Sequence, residues 1–223
     1  MTSTRSAAIG DLLSGDASLE RVEPLAAGAV LLRGFARSEA ADLVQAVEQI
    51  AAAAPFRHMV TPGGFRMSVA MTNCGQAGWV TDRSGYRYAS VDPMTGQPWP
   101  AIPPLLRALA AGAAEAAGFA GFEPDACLIN RYEPGARLSL HRDEDERDLG
   151  APVVSVSLGV PATFLFGGLS RKDRPRRLRL EGGDVVVWGG PSRLAYHAVA
   201  PLAEAEDPLT GRSRINLTFR KAL

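Results

Sequence analysis

His141 and Asp143 stand two residues apart in the run Leu138-Ser139-Leu140-His141-Arg142-Asp143, and a single further histidine, His197, follows far downstream. Two imidazoles and one carboxylate can occupy one face of an octahedral Fe(II) and leave three positions open, the ligand set of a mononuclear non-haem iron centre. Residues i and i+2 of a strand point to the same face, so the first two ligands converge on one ion if 137–141 is extended. His197 must then arrive from another strand. The triplet alone is a weak signal, because H-x-D recurs by chance and a lone histidine is more often a satisfied core or surface residue. His58 has no partner in this reading and is taken as structural.

The end of the chain strengthens the case. Arg214-Ile215-Asn216-Leu217-Thr218-Phe219-Arg220 alternates polar and apolar residues, which is a strand signature. Ile215, Leu217 and Phe219 pack one way, and Arg214, Asn216, Thr218 and Arg220 face the other. Two arginines on an inward face demand anions, and a carboxylate is the best geometric match for a guanidinium. A dicarboxylate co-substrate meets that demand; an exposed strand with solvated arginines accounts for the same pattern. Upstream, Cys127 to Tyr132 alternates as well, with Asn130 and Tyr132 on one face with Leu128. A co-substrate pocket can thus be completed by Asn130, Tyr132, Arg214, Asn216 and Arg220, although the same Asn and Tyr can simply tie down a sheet edge.

Composition bounds the problem. The chain has 223 residues, 46% of them hydrophobic, enough for one large domain or a domain with an elaborate lid. A formal net charge of zero excludes a strongly basic nucleic-acid coat protein, so any nucleic-acid binding has to come from local patches and a specific pocket. The best basic stretch runs from Arg171 to Arg179; it can follow a phosphate backbone or form a solvated loop. The two cysteines, Cys74 and Cys127, form no C-x-x-C or disulfide framework and suit a reducing compartment. With no signal-like start and no long apolar stretch, a soluble cytoplasmic protein without a membrane partner is expected.

At this point the residues resemble a known family, the bacterial AlkB family of Fe(II)- and 2-oxoglutarate-dependent dioxygenases that directly reverse alkylation damage on nucleic-acid bases. The resemblance runs from about Glu23 to Arg220. It is carried by Glu23 to Val30, Met59-Val-Thr-Pro-Gly-Gly64, Met67 to Gly75, Pro124 to Tyr132, Asp184-Val-Val-Val-Trp-Gly-Gly190 and Asn216 to Arg220. It implies that His141, Asp143 and His197 hold Fe(II) and form the catalytic centre. It likewise implies that Asn130, Tyr132, Arg214, Asn216 and Arg220 bind 2-oxoglutarate, with O2 as the other co-substrate. On the same basis Trp79 stacks on the damaged base against His141, Tyr86 helps hold the nucleic-acid backbone, Asp145 contacts the base, Arg171 is the candidate for phosphate contact, and Thr61 and Met71 lie near the substrate pocket.

The expected reaction is oxidative demethylation of lesions such as 1-methyladenine and 3-methylcytosine, releasing formaldehyde, succinate and carbon dioxide. The expected partner is alkylated DNA, single-stranded first and RNA second, with no obligate protein partner. Two alternatives stand beside it. One is a dioxygenase of the same fold acting on RNA, a protein or a metabolite; for a protein or metabolite the aromatic residues Trp79, Tyr86 and Tyr88 would have no base to stack. The other is a non-catalytic module that binds methylated bases, which would tolerate a broken ligand set.

These groups need a scaffold. Ser38 to Ala54 reads as an amphipathic helix with Ser38 as N-cap, and Pro104 to Ala117 as an Ala-rich helix stopped at Gly118. Residues 61–100 are rich in Gly, Pro and aromatics and read as a lid of hairpins and loops. Strands follow at Cys127–Tyr132, Arg137–His141, Val153–Val160, Ala162–Phe166, Arg176–Leu180, Val185–Trp188, Leu194–Val199 and Arg214–Arg220. Short strands with Gly and Pro turns argue for a jelly roll flanked by helices, an α+β protein that is mainly β, and the resemblance names it as a double-stranded β-helix. The expected division is a tail at 1–22 outside the resemblance, a helical buttress with nucleotide-recognition lid at 23–100, and the dioxygenase core at 101–223.

Overall fold

The computed structural model describes residues 21–223; the tail expected at 1–22 therefore lies almost wholly outside the described residues. The strands are β1 Arg21–Ala26, β2 Ala29–Arg33, β3 Ala70–Gly75, β4 Gly78–Asp82, β5 Gly85–Ala89, β6 Ala126–Tyr132, β7 Leu138–His141, β8 Val153–Gly159, β9 Ala162–Phe166, β10 Arg176–Leu180, β11 Val185–Trp188, β12 His197–Val199 and β13 Arg214–Arg220. The helices are α1 Ala40–Ala53 and α2 Pro104–Ala116.

Two sheets face each other, with strand order β1-β2-β11-β8-β13-β6-β3 in the larger and β10-β9-β12-β7 in the smaller, while β4 and β5 form a separate hairpin. This is the double-stranded β-helix with flanking helices expected from the sequence. Side-chain alternation along each strand divides the larger sheet between two cores. Val185, Val187, Ile215, Leu217 and Phe219 pack outward against Leu43, Val47 and Ile50 of α1 and Leu106, Ala110 and Ala113 of α2. Val186, Trp188, Leu128 and Tyr132 face inward, toward Phe164, Phe166 and Val199 of the smaller sheet. Truncating a fully buried residue such as Leu217 to Ala would cost about 2–5 kcal/mol, because both the transfer term and the residual cavity are lost.

The helix ends follow local chemistry. Pro104 opens α2, where its missing N–H is not needed. Gly118, at φ +87°, closes it: its N–H donates to the Glu115 carbonyl, and the Phe119 N–H donates to that of Ala114, the paired bonds of a Schellman stop. The start of α1 differs from expectation. Its cap residue is Glu39, one position after Ser38, and makes no side-chain capping bond; Ser38 donates its hydroxyl to the Glu39 carboxylate at 2.8 Å.

Three further differences concern the sheets. Only His197–Val199 of the strand expected at Leu194–Val199 pairs with its neighbours, because residues 189–195 close successive turns and bury the Arg193 side chain. The lid region holds one hairpin, β4–β5, whereas β3, also within 61–100, pairs along its length with β6 as an edge of the larger sheet. Finally, β1 and β2 extend the same sheet at its other edge, so strands from before residue 100 complete the core sheet. No helix among the described residues is long and apolar enough to cross a membrane.

Candidate active site

His141 ends β7 and His197 begins β12, and the two are direct partners in the β7–β12 ladder. Their rings lie 4.3 Å apart between centroids. Asp143 falls just past the end of β7, yet its carboxylate still turns toward them, with Oδ1 3.9 Å from His141 Nε2 and Oδ2 3.9 Å from His197 Nε2. The three ligand atoms all lie within 4.8 Å of one another. Each imidazole has its Nδ1 against a backbone carbonyl, that of Ser139 at 2.8 Å for His141 and that of Ala195 at 3.0 Å for His197. A carbonyl can only accept, so Nδ1 carries the proton and Nε2 presents its lone pair to the shared centre.

Electrostatics keep the set ready for a cation. Burial alone would raise the pKa of Asp143, but the Arg220 guanidinium, helped by His197 and His141, outweighs it and holds the carboxyl well below the usual carboxylate range. Burial, followed by the proximity of His141, pushes His197 down to about 4, so it is neutral and able to coordinate near neutral pH. Two imidazoles and one carboxylate with fixed outer hydrogen bonds suit Fe(II), and their chemistry fits the group.

These ligands line a cavity of about 780 Å³ whose walls also include Asn130, Tyr132, Arg214, Asn216 and Arg220. β13 and β6 place them, since Arg214 is opposite Tyr132 and Asn216 opposite Asn130 in the ladder. Arg214 is 1% exposed, and burial lowers its pKa. Its Nη2 donates to Ser157 Oγ at 3.0 Å, its guanidinium lies over the Tyr132 ring at 5.0 Å, and Nε and Nη1 have no hydrogen-bond partner among the described residues. Two orphaned cationic donors deep in a cavity are costly unless an anion meets them. A dicarboxylate with its other end at the His-Asp-His set answers that cost. Asn216 is tied to Ser155 and Val156, and Asn130 Nδ2 donates to Asn216 Oδ1 at 3.3 Å.

The other expected residues gather at the mouth. Trp79 and Tyr86 stack across the β4–β5 hairpin, with ring centroids 5.5 Å apart and planes 17° from parallel. The Asn73 side-chain amide bonds both the N–H and the carbonyl of Trp79, which fastens the hairpin to β3. A Cβ on Gly78 would come within 2.5 Å of the Trp99 ring, so only glycine permits that approach. Trp79 Nε1 donates to Asp145 Oδ2 at 2.8 Å, so Asp145 anchors the tryptophan rather than a turn. Thr61, Met71 and Arg171 also line the cavity, with Arg171 over the Tyr196 ring at 5.8 Å. The rest of the basic stretch is partly engaged elsewhere: Arg176 donates to the Leu25 carbonyl and Arg179 to Glu181. His58 bonds the Met67 carbonyl and lies away from the ligand set, and both cysteines are free and buried. Sequence reasoning did not single out Glu146, Arg193, Ser155 or Ser157, whose partners lie 42 or more residues away in sequence and leave no local signal.

Comparison with known proteins agrees with this chemistry. Residues 28–220 match the family model of the 2OG-Fe(II) oxygenase superfamily. The alpha-ketoglutarate-dependent dioxygenase AlkB of Escherichia coli (strain K12) is 61% identical over 200 residues, covering 90% of this chain and 93% of that protein.

The chain belongs to the AlkB family of this superfamily.

A tRNA demethylase of Schizosaccharomyces pombe, abh1, is 39% identical over 119 residues, 48% of this chain and 39% of that protein. Among solved structures, that of OsALKBH1 superposes with a TM-score of 0.80 at 30% identity, covering 90% of this chain and all of that one. As a member of the AlkB family the chain is an Fe(II)- and 2-oxoglutarate-dependent dioxygenase, with O2 as the second co-substrate.

Proposed function

We propose that this chain removes N-methyl groups from alkylated nucleic-acid bases, 1-methyladenine and 3-methylcytosine among them, by oxidative demethylation in the cytoplasm. DNA, single-stranded in the first instance, is the substrate, with RNA second. The observation that carries this reading is one cavity that joins three elements: the His141–Asp143–His197 set, the buried Arg214 guanidinium with its Nε and Nη1 left open, and the stacked Trp79–Tyr86 pair at the mouth. An aromatic platform suits a base taken out of its stack, and it would be idle in an enzyme for a small metabolite.

In this reading His141, Asp143 and His197 hold Fe(II), and Arg214, Tyr132, Asn130 and Asn216 hold 2-oxoglutarate, with Arg220 nearer the metal. Together they supply oxygen activation coupled to decarboxylation of the co-substrate to succinate and carbon dioxide. The protein's own part is placement. Arg214 anchors the far carboxylate, and the orphaned Asn130 Oδ1 and bonded Asn216 line the path between it and the ligand set. Trp79 and Tyr86 hold the base, Asp145 attracts a cationic lesion, and Thr61 and Met71 shape the pocket around it. Arg171 contacts the phosphate backbone. Residues 23–100 act as buttress and nucleotide-recognition lid and 101–223 as the dioxygenase core, in a functional division in which β1, β2 and β3 serve the core sheet.

The test is anaerobic loading with Fe(II) and 2-oxoglutarate, then admission of air and mass spectrometry of an oligonucleotide bearing one 1-methyladenine. Loss of the methyl group is expected; an intact methyl group together with co-substrate turnover on an alternative substrate would overturn the nucleic-acid reading.

A further inference from the structure

Glu146 is a buried carboxylate three residues beyond Asp143, and the chemistry above leaves it without a role. Its side chain is 2% exposed. Oε1 accepts the Tyr88 hydroxyl at 2.7 Å and lies 3.3 Å from Arg220 Nε, while Oε2 accepts Arg193 Nη2 at 3.0 Å. The same two arginines also grip Asp143. Arg220 places Nε at 2.9 Å and Nη2 at 2.8 Å from Oδ2, and Arg193 Nη1 donates to the Asp143 backbone carbonyl at 2.8 Å. A third bond, from Arg193 Nε to the Ala151 carbonyl, fixes the latter guanidinium in place.

Tyr88 belongs to β5, the strand paired with the one that carries Trp79, and the two residues are direct partners in that ladder. Burial holds the Tyr88 hydroxyl above its ordinary range, so it stays protonated and donates. A chain of contacts therefore runs from the lid hairpin through Glu146 and Arg220 to the metal-site carboxylate. Burying two carboxylates and two guanidiniums gains little stability over apolar packing of the same volume, because desolvation consumes most of the Coulomb attraction. What such a network does supply is a fixed orientation. With Oδ2 of Asp143 committed to Arg220, Oδ1 is left to face the centre shared with the histidines.

We propose that Tyr88 and Glu146 are positioning residues that set the orientation of the Asp143 carboxylate through Arg220 and Arg193, and that they couple the lid hairpin to the metal site. The inference rests on the reading of His141, Asp143 and His197 as metal ligands. Removing the Tyr88 hydroxyl leaves Glu146 one donor short, so it draws Arg220 toward itself and loosens Oδ2.

The test uses the full chain under anaerobic conditions with saturating 2-oxoglutarate and Co(II) in place of Fe(II). It reads the Co(II) dissociation constant and the visible ligand-field spectrum. Tyr88→Phe is expected to weaken Co(II) binding by about tenfold, as outer-sphere changes around a metal ligand do, and to shift the spectrum, although Tyr88 touches no ligand atom. Glu146→Gln should move both readouts in the same direction; if that variant fails to fold, Tyr88→Phe carries the test alone. Wild-type affinity and spectrum in Tyr88→Phe would overturn the proposal. So would a lower melting temperature with an unchanged spectrum, which marks a purely structural role. A wild-type chain that takes up no Co(II) would instead sink the metal-ligand reading, and the relay with it.

Discussion

His197 sits directly across the β7–β12 ladder from His141, with the two rings 4.3 Å apart, so a single strand pairing brings together ligands that are far apart in sequence. The register also explains why Asp143 can lie outside the strand. The ladder fixes the imidazoles, and the carboxylate is positioned separately by Arg220.

The first prediction concerns this pairing. His197→Ala should remove one of the two imidazoles and abolish both iron retention and the conversion of 2-oxoglutarate to succinate that proceeds without nucleic acid. Metal content and succinate release check it. Normal iron content with wild-type turnover would remove His197 from the ligand set.

Arg214 separates co-substrate from metal. Arg214→Ala should raise the 2-oxoglutarate KM by at least roughly tenfold while Fe(II) still binds, because a charge-assisted contact of about 1.5–3 kcal/mol is lost. Steady-state kinetics at varied co-substrate give the answer. An unchanged KM would place the far carboxylate against other residues and leave the two orphaned donors of Arg214 unexplained.

Asp145 bears on lesion choice. Its carboxylate is anchored to Trp79 Nε1 at 2.8 Å and so stands beside the stacking surface. Bases methylated at ring nitrogens, such as 1-methyladenine, are cationic near neutral pH, and attraction at about 4 Å with an effective dielectric near 20 is on the order of 4 kcal/mol before desolvation. Asp145→Ala should lower kcat/KM for such lesions more than for neutral 1-methylguanine, without loss of iron. Equal losses on both would assign Asp145 to holding Trp79 alone.

A fourth prediction is about pH. His197 titrates at about 4 in the metal-free fold, against about 6.5 in an unfolded chain. Between those values the unfolded chain binds a proton that the fold refuses, so this contribution is present above the unfolded pKa and is lost as pH falls through the window. The full loss is on the order of 3 kcal/mol. Denaturant midpoints of chelator-treated protein at about pH 7 and about pH 5 should differ in that direction, and His197→Gln should flatten the difference. Equal midpoints in the unsubstituted protein would mean that His197 titrates normally.

Much of this site was legible in the sequence, for a physical reason. Arg214 to Arg220 lies on a strand with a core on each face, so its alternation assigns Ile215, Leu217 and Phe219 to the helix side and Arg214, Asn216 and Arg220 to the cavity. The same period exposed Leu128, Asn130 and Tyr132 on β6. Glu146 and Arg193 were not legible, because a buried ion pair 47 residues apart leaves no periodic trace and each residue reads locally as a solvated charge. The sheet edges were hidden for a related reason. β3 lies in a Gly- and Pro-rich stretch whose local chemistry reads as loop, and only its pairing with β6 makes it a strand. The cap expected at Ser38 failed because α1 begins at Ala40, one residue later than that cap requires, which makes Glu39 the cap position.

The central claim, that one cavity couples co-substrate oxidation to demethylation of a base, is tested most directly by product stoichiometry. Protein loaded with Fe(II) and 2-oxoglutarate is given air and an excess of oligonucleotide bearing 1-methyladenine, and succinate, formaldehyde and repaired base are counted together. The account predicts that formaldehyde and repaired base form mole for mole, with succinate at least matching them, and that all three vanish in His197→Ala. Succinate formed at full rate with no formaldehyde and an intact methylated base would contradict it.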